Sequence, residues 1–75
     1  MEITYDTKAD ALYIHLRDGE FGSNIEIEEG IILDLDKERR LLGLEILDAS
    51  KRISLSQLAS VSIKMPLEMA QLTEV

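Results

Sequence analysis

Apolar and polar residues alternate with period two along most of the first 47 positions, the signature of strands whose two faces meet different surroundings. The clearest stretch runs from Ile31 to Asp36, breaks at Lys37, Glu38, Arg39 and Arg40, and resumes from Leu41 to Leu47. A four-residue loop at 37–40 sets Asp36 across from Leu41 and puts Ile31, Leu33, Leu35, Leu42, Leu44 and Ile46 on one face. The other face carries Ile32, Asp34, Asp36, Leu41, Gly43, Glu45 and Leu47. The first set reads as the core and the second as a mixed surface.

Two further hairpins place apolar residues opposite apolar residues. Glu28, Glu29 and Gly30 suit a three-residue loop with glycine in the left-handed position, which sets Ile27 opposite Ile31 and Ile25 opposite Leu33. A two-residue turn at Glu29 and Gly30 would instead oppose Glu26 to Leu33 and bury a carboxylate without a partner. Nearer the N-terminus, Thr7 to Asp10 connect a short strand to Ala11–Leu16, with Tyr5 opposite Leu12, Ile3 opposite Ile14, and Tyr13 and His15 on the second face. Arg17 to Ser23, with two glycines, read as a loop.

After Leu47 the alternation stops, and Asp48 to Arg52 read as a chain reversal or a short helix start capped by the aspartate. Ser54 and Gln57 have capping-box spacing, and Leu55, Leu58, Ala59 and Ser62 or Ile63 continue a helical stripe until Pro66 disfavours helix at Met65. Leu67 to Leu72 have the apolar spacing for one amphipathic turn. The expected fold is α+β, mostly β, in a single domain 1–75: an antiparallel meander of about five strands (about 2–6, 11–16, 24–28, 31–36 and 41–47) with one short C-terminal helix at about 54–62.

Composition limits what such a fold can be. Seventy-five residues, 45% hydrophobic, allow one domain with a core near the lower limit for a lone chain. There is no cysteine, so extra stabilisation has to come from packing or from a second copy. A net charge of −7 repels a phosphate backbone, which argues against nucleic acid and favours a basic protein partner. Met1 to Tyr5 lack a basic region followed by an apolar run, and no segment approaches the roughly 20 apolar residues of a membrane helix. A soluble, cytoplasmic protein with no membrane association is the expectation.

Candidate chemistry is sparse. Asp34, Asp36, Glu38 and Glu45 fall at positions 1, 3, 5 and 12 of a calcium-loop pattern, with Leu41 at position 8, but Arg39 stands where the sharp turn needs glycine. The flanks alternate as strands, so a solvated hairpin explains the same residues. On the hairpin face Asp34, Asp36 and Glu45 form an acidic cluster with hard oxygen donors for magnesium or calcium, and Arg39 and Arg40 compete for them as salt-bridge partners. His15 is the only histidine; Asp6, Asp10 or Tyr13 are its candidate partners, and a partly buried packing residue is its simplest use. Tyr5 and Tyr13 suit strands, and Tyr13 also suits an interface. No catalytic residue, cofactor or metal-ligand set is assigned.

Tyr5 and Asp6 with Ala9 to Ile14, followed by Gly30 to Asp36 and then Leu42 to Ser50, resemble the small prokaryotic family catalogued as domain of unknown function 2283. The likeness covers most of residues 3–50 in two ordered blocks, while 51–75 contribute little; the tip Lys37 to Arg40 lacks the glycine often found there. The resemblance implies a compact β-rich domain without established activity and, from relatives set beside small toxin-like proteins, an antitoxin role. The expectation is a non-enzymatic interaction module, homodimeric, with Tyr13, Ile32, Leu41 and Leu47 as its apolar patch and Asp34, Asp36 and Glu45 at the rim. The alternative is a metal- or small-ligand-binding domain built from Asp6, Asp10, His15 and the hairpin acids.

Overall fold

The alternation is realised as one antiparallel sheet. In the computed structural model, which describes residues 1–66, the strands are β1 (Glu2–Asp6), β2 (Ala11–His15), β3 (Phe21–Glu28), β4 (Ile31–Asp36) and β5 (Leu41–Leu47). Two one-turn helices follow, α1 (Ala49–Arg52) and α2 (Leu55–Leu58). The strand order is β1-β2-β5-β4-β3, so β5 returns to lie beside β2 and the edges are β1 and β3. Leu16 and Arg17 run on beside β5, donating their amides to the Leu42 carbonyl at 2.9 and 3.3 Å, before the chain crosses to the far edge.

The N-terminal hairpin has the expected register, Ile3 with Ile14 and Tyr5 with Leu12. Ile25 pairs with Leu33 as expected, but Ile31 faces Glu28 rather than Ile27. The turn is the tighter one at Glu29 and Gly30, and a register shift between Glu26 and Glu28 leaves Ile27 unpaired and exposed. The bulge restores the apolar register that a two-residue turn alone would lose. Gly30 takes φ +81, the left-handed value expected of it.

The β4–β5 hairpin keeps Leu33 opposite Leu44 and Ile32 opposite Glu45, but a second bulge puts Leu35 rather than Asp36 opposite Leu41. Its cause is Asp36. The Asp36 carboxylate collects the turn amides of Glu38 and Arg40 at 2.9 and 2.8 Å, while its own amide donates to the Arg40 carbonyl at 2.8 Å. The closed turn is thus one residue shorter than the expected loop, and the surplus residue is taken up in β5. Leu41 consequently sits beside Leu35, on the apolar face.

Other boundaries also move. Phe21 to Ser23, expected in the loop, belong to β3, where Gly22 forms a bulge against the Asp36 backbone; a Cβ there would meet the Asp36 carbonyl oxygen at 2.6 Å. The Ser54 and Gln57 capping box forms, but the helix it starts ends at Leu58 rather than near 62. Beyond it Ser60, Val61, Ser62 and Ile63 are poor helix formers, and β-branched residues lose side-chain freedom in a helix. The amphipathic turn expected at Leu67 to Leu72 lies outside the described residues.

Register sorts the two faces. One row crosses the whole sheet: Ile3, Ile14, Leu44, Leu33 and Ile25, from β1 through β2, β5 and β4 to β3. A parallel row on the same side holds Tyr5, Leu12, Ile46 and Ile31 and ends at β3 on Glu28. The reverse side carries Thr4, Tyr13, Glu45, Ile32 and Glu26 in one row and Glu2, His15, Gly43, Asp34 and Asn24 in the next. Only Leu12, Leu35, Leu42 and Ala49 are buried hydrophobics among the described residues. Ala49 at the start of α1 is fully buried and Ile53 and Leu58 are half-buried, so the two short helices cover only the end of the sheet near the Asp10 turn. Among the described residues, the set expected as a closed core is buried at Leu12, Leu35 and Leu42, half-buried at Ile14, Ile31, Leu33, Leu44 and Ile46, and exposed at the edge residues Ile3 and Ile25. No helix among the described residues is long and apolar enough to cross a membrane.

Candidate functional site

Alternation along β2, β4 and β5 places Tyr13, Ile32 and Leu47, three of the four patch residues, on the polar face, where each is half-buried. The fourth, Leu41, is carried to the opposite face by the β5 bulge. Tyr13 lies over Gly43, and a Cβ at Gly43 would stand 2.6 Å from the tyrosine oxygen and 2.7 Å from the Ile14 carbonyl oxygen. Glycine is therefore what lets the ring lie flat across the sheet. Burial first, then the Asp34 carboxylate beside its hydroxyl and the charge of Glu45, raise the Tyr13 pKa. His15 is near in the next row, its ring centroid 6.3 Å from that of Tyr13. The histidine binds none of its three expected partners; Nε2 is 2.9 Å from Asp18 Oδ1.

The three acids of the expected cluster separate. Asp34 and Glu45 remain on the polar face around Tyr13. Asp36 is withdrawn into the end of the sheet, its side chain 3% exposed, where Oδ2 meets Arg17 Nη2 at 2.5 Å and Arg40 Nε at 3.3 Å. The Arg17 hydrogen bond, followed by the turn amide of Arg40, lowers the Asp36 pKa to about 2. Arg17 was not legible as its partner, because nothing in sequence spacing places a loop arginine over a hairpin tip 19 positions on. Among the described residues, no three His, Asp or Glu side chains are grouped closely enough to hold a metal ion.

A second joint lies at the opposite end of the sheet. Asp10, in left-handed conformation at φ 51, accepts the Tyr5 hydroxyl at 2.7 Å on Oδ1. Its carboxylate also accepts the amide and hydroxyl of Ser50 at 2.9 and 2.7 Å, and its carbonyl accepts the Ala49 amide at 2.9 Å. Of the two expectations for Asp48 to Arg52, a chain reversal or a helix start capped by the aspartate, the helix forms but without that cap. Asp48 sits at the N-cap position with φ 51 and makes no side-chain cap, so Asp10 satisfies the free α1 amides from another hairpin. The Tyr5 hydrogen bond, then those from Ser50, lower the Asp10 pKa, and the same contact raises that of Tyr5. Arg52 completes the joint, donating from Nε to the Leu47 carbonyl at 3.2 Å and from Nη1 to Glu28 at 3.3 Å, with Nη2 on the Glu29 carbonyl.

A family model described as "Protein of unknown function (DUF2283)" matches residues 2–50, a span that holds the whole sheet and ends on Ser50 of the Asp10 joint. A curated protein of Methanosarcina mazei named "Putative hypoxanthine phosphoribosyltransferase" is 34% identical over 53 residues, covering 71% of this chain and 42% of the relative. The chain thus spans less than half the length of that relative. No solved structure matches the chain.

Proposed function

This chain belongs to the family of proteins of unknown function DUF2283, and we propose that it is a small, non-enzymatic, cytoplasmic protein-interaction module. It works as a homodimer and receives a basic protein on its polar face, in an antitoxin-like role. One observation supports this reading: Tyr13 and Ile32, both half-buried, flank Glu45 in one row of the polar face, with half-buried Leu47 two residues along β5 from it and with Glu26, Asp34 and Glu2 around them. An apolar anchor with an acidic rim is how a protein surface combines affinity with charge selection, the rim accelerating encounter with a cation-rich partner and the centre excluding water. The same rim, with the net charge of −7, disfavours nucleic acid.

The metal- or small-ligand reading needs Asp36 beside Asp34 and Glu45, and Asp36 is already held by Arg17, Arg40 and two turn amides. The relative's name carries phosphoribosyl transfer, and free backbone amides at a helix N-terminus are one way for a protein to bind a phosphate group. At the junction here the Asp10 carbonyl accepts the Ala49 amide and its carboxylate the Ser50 amide. That activity is not extended to this chain.

The test is co-expression with the products of the neighbouring genes. A basic product that co-purifies with the wild type and is lost with Leu47→Asp, while the circular dichroism spectrum is unchanged, is the expected result. Retention of no neighbouring product would overturn the basic-partner reading, and sedimentation as a monomer at tens of micromolar would overturn the homodimer.

A further inference from the structure

The polar face leaves the reverse side of the sheet to be explained. Its two rows are Ile3-Ile14-Leu44-Leu33-Ile25 and Tyr5-Leu12-Ile46-Ile31, and the one charged member by register is Glu28 at the β3 end of the second row, paired with Arg52 at 3.3 Å. At its edges Ile3 and Ile25 are 38% and 39% exposed. We propose that this face is the dimer interface: a second copy of the chain packs its own apolar rows against it, face to face, and closes a ten-stranded sandwich. The inference rests on the homodimer reading above and assigns the surface it uses.

Area and charge select the occupant. Five strands about 4.8 Å apart, with about six residues each at about 3.3 Å, give a face of roughly 450 Å² in projection, and side-chain relief enlarges it. Two such faces together remove on the order of 1,000 Å² or more from water, which is where specific interfaces begin. Residues 67–75, even as a helix of about 13 by 10 Å, would cover about a third of the face. Leu55, Val61, Ile63 and Met65, the apolar residues just before them, are exposed and therefore not seated on it.

Charge excludes the other arrangement of two copies. Each carries −7, and meeting through the polar face would set Asp34, Glu45, Glu26 and Glu2 of one copy against the same acids of the other. Meeting through the aliphatic rows brings in only the edge carboxylate of Glu28, which Arg52 of the same copy neutralises. It also leaves Tyr13, Ile32 and Leu47 of both copies outward, free for a partner.

The chain is free of cysteine, so single-cysteine variants report the contact directly. Leu44 lies at the middle of the five-strand row, close to where the two-fold axis of a face-to-face pair must pass. Oxidation of Leu44→Cys is expected to give a covalent dimer, whereas Glu45→Cys, its neighbour on the reverse face, stays monomeric on denaturing gels. In sedimentation, Ile25→Lys at the exposed edge is expected to raise the dissociation constant at least about thirtyfold, the scale of an interface hot spot. Glu26→Lys is expected to leave it within about twofold, and both variants keep the wild-type circular dichroism spectrum.

A dimer that cross-links through Glu45→Cys and not Leu44→Cys would overturn this face assignment while sparing the homodimer. A monomeric wild type would overturn both. A wild type that is monomeric but associates once residues 67–75 are removed would show the tail as occupant and overturn the inference.

Discussion

Asp10 and Ser50, 40 positions apart, meet through both carboxylate oxygens of the aspartate, one on the serine amide at 2.9 Å and one on its hydroxyl at 2.7 Å. The bond fixes the start of α1 to the turn between β1 and β2, and Tyr5 shares the same carboxylate. Asp10→Ala and Ser50→Ala are each expected to lower the midpoint of thermal unfolding at fixed protein concentration. Asp10→Ala should lower it further, because it also strands the tyrosine hydroxyl and the helix amide. The double variant should lose less than the sum of the singles, since the two residues form one interaction. Additive losses would show that the joint is not a coupled unit.

The Asp36 knot makes stability depend on acid. Its carboxyl is held at about 2, below the ordinary 3.8, so the folded chain takes up this proton less readily than the unfolded one. A depressed folded-state pKa contributes stability that is complete above about pH 4 and is lost as pH falls from there toward 2. The lowered pKa of Asp10 acts in the same direction, while the raised pKa of Tyr5 contributes below pH 10 and is lost as pH rises beyond it. Melts from pH 8 to 2 should show a plateau and then an acid decline that is shallower in Asp36→Asn. A decline of the same steepness in wild type and variant would remove Asp36 from the account.

Arg39 holds the left-handed position of the β4–β5 turn at φ 65, a conformation that costs a side-chain-bearing residue and costs glycine nothing. Arg39→Gly is expected to stabilise the fold by about 1 kcal/mol, after allowing for the added freedom of glycine in the unfolded chain. Urea denaturation measures it, with an unchanged slope. A loss of stability would mean that the arginine side chain contributes more than its backbone strain costs.

Gly43 lies under Tyr13, and the Ile14 carbonyl oxygen closes the same space. Gly43→Ala is expected to destabilise by roughly 1–3 kcal/mol, the range for overpacking. Pairing it with Tyr13→Ala should recover only part of that cost, because removing the ring leaves the backbone oxygen in place. Complete recovery would assign the whole effect to the tyrosine.

Period-two alternation determined the strands, because a half-buried strand needs one kind of side chain on each side, and it determined the pairing of Ile3 with Ile14 and Leu33 with Leu44. The Ser54 cap was equally legible, since its partners are three residues apart. Local spacing could not reveal interactions whose partners are distant in the chain. Arg17 reaches Asp36, Asp10 caps the helix in place of Asp48, and the β5 bulge sends Leu41 to the apolar face. Each depends on how the tips and ends of hairpins meet once the sheet has formed. Whether the apolar rows would be covered was likewise a tertiary matter: alternation specifies a face that avoids water, and only the arrangement of the remaining chain decides whether that chain supplies the cover.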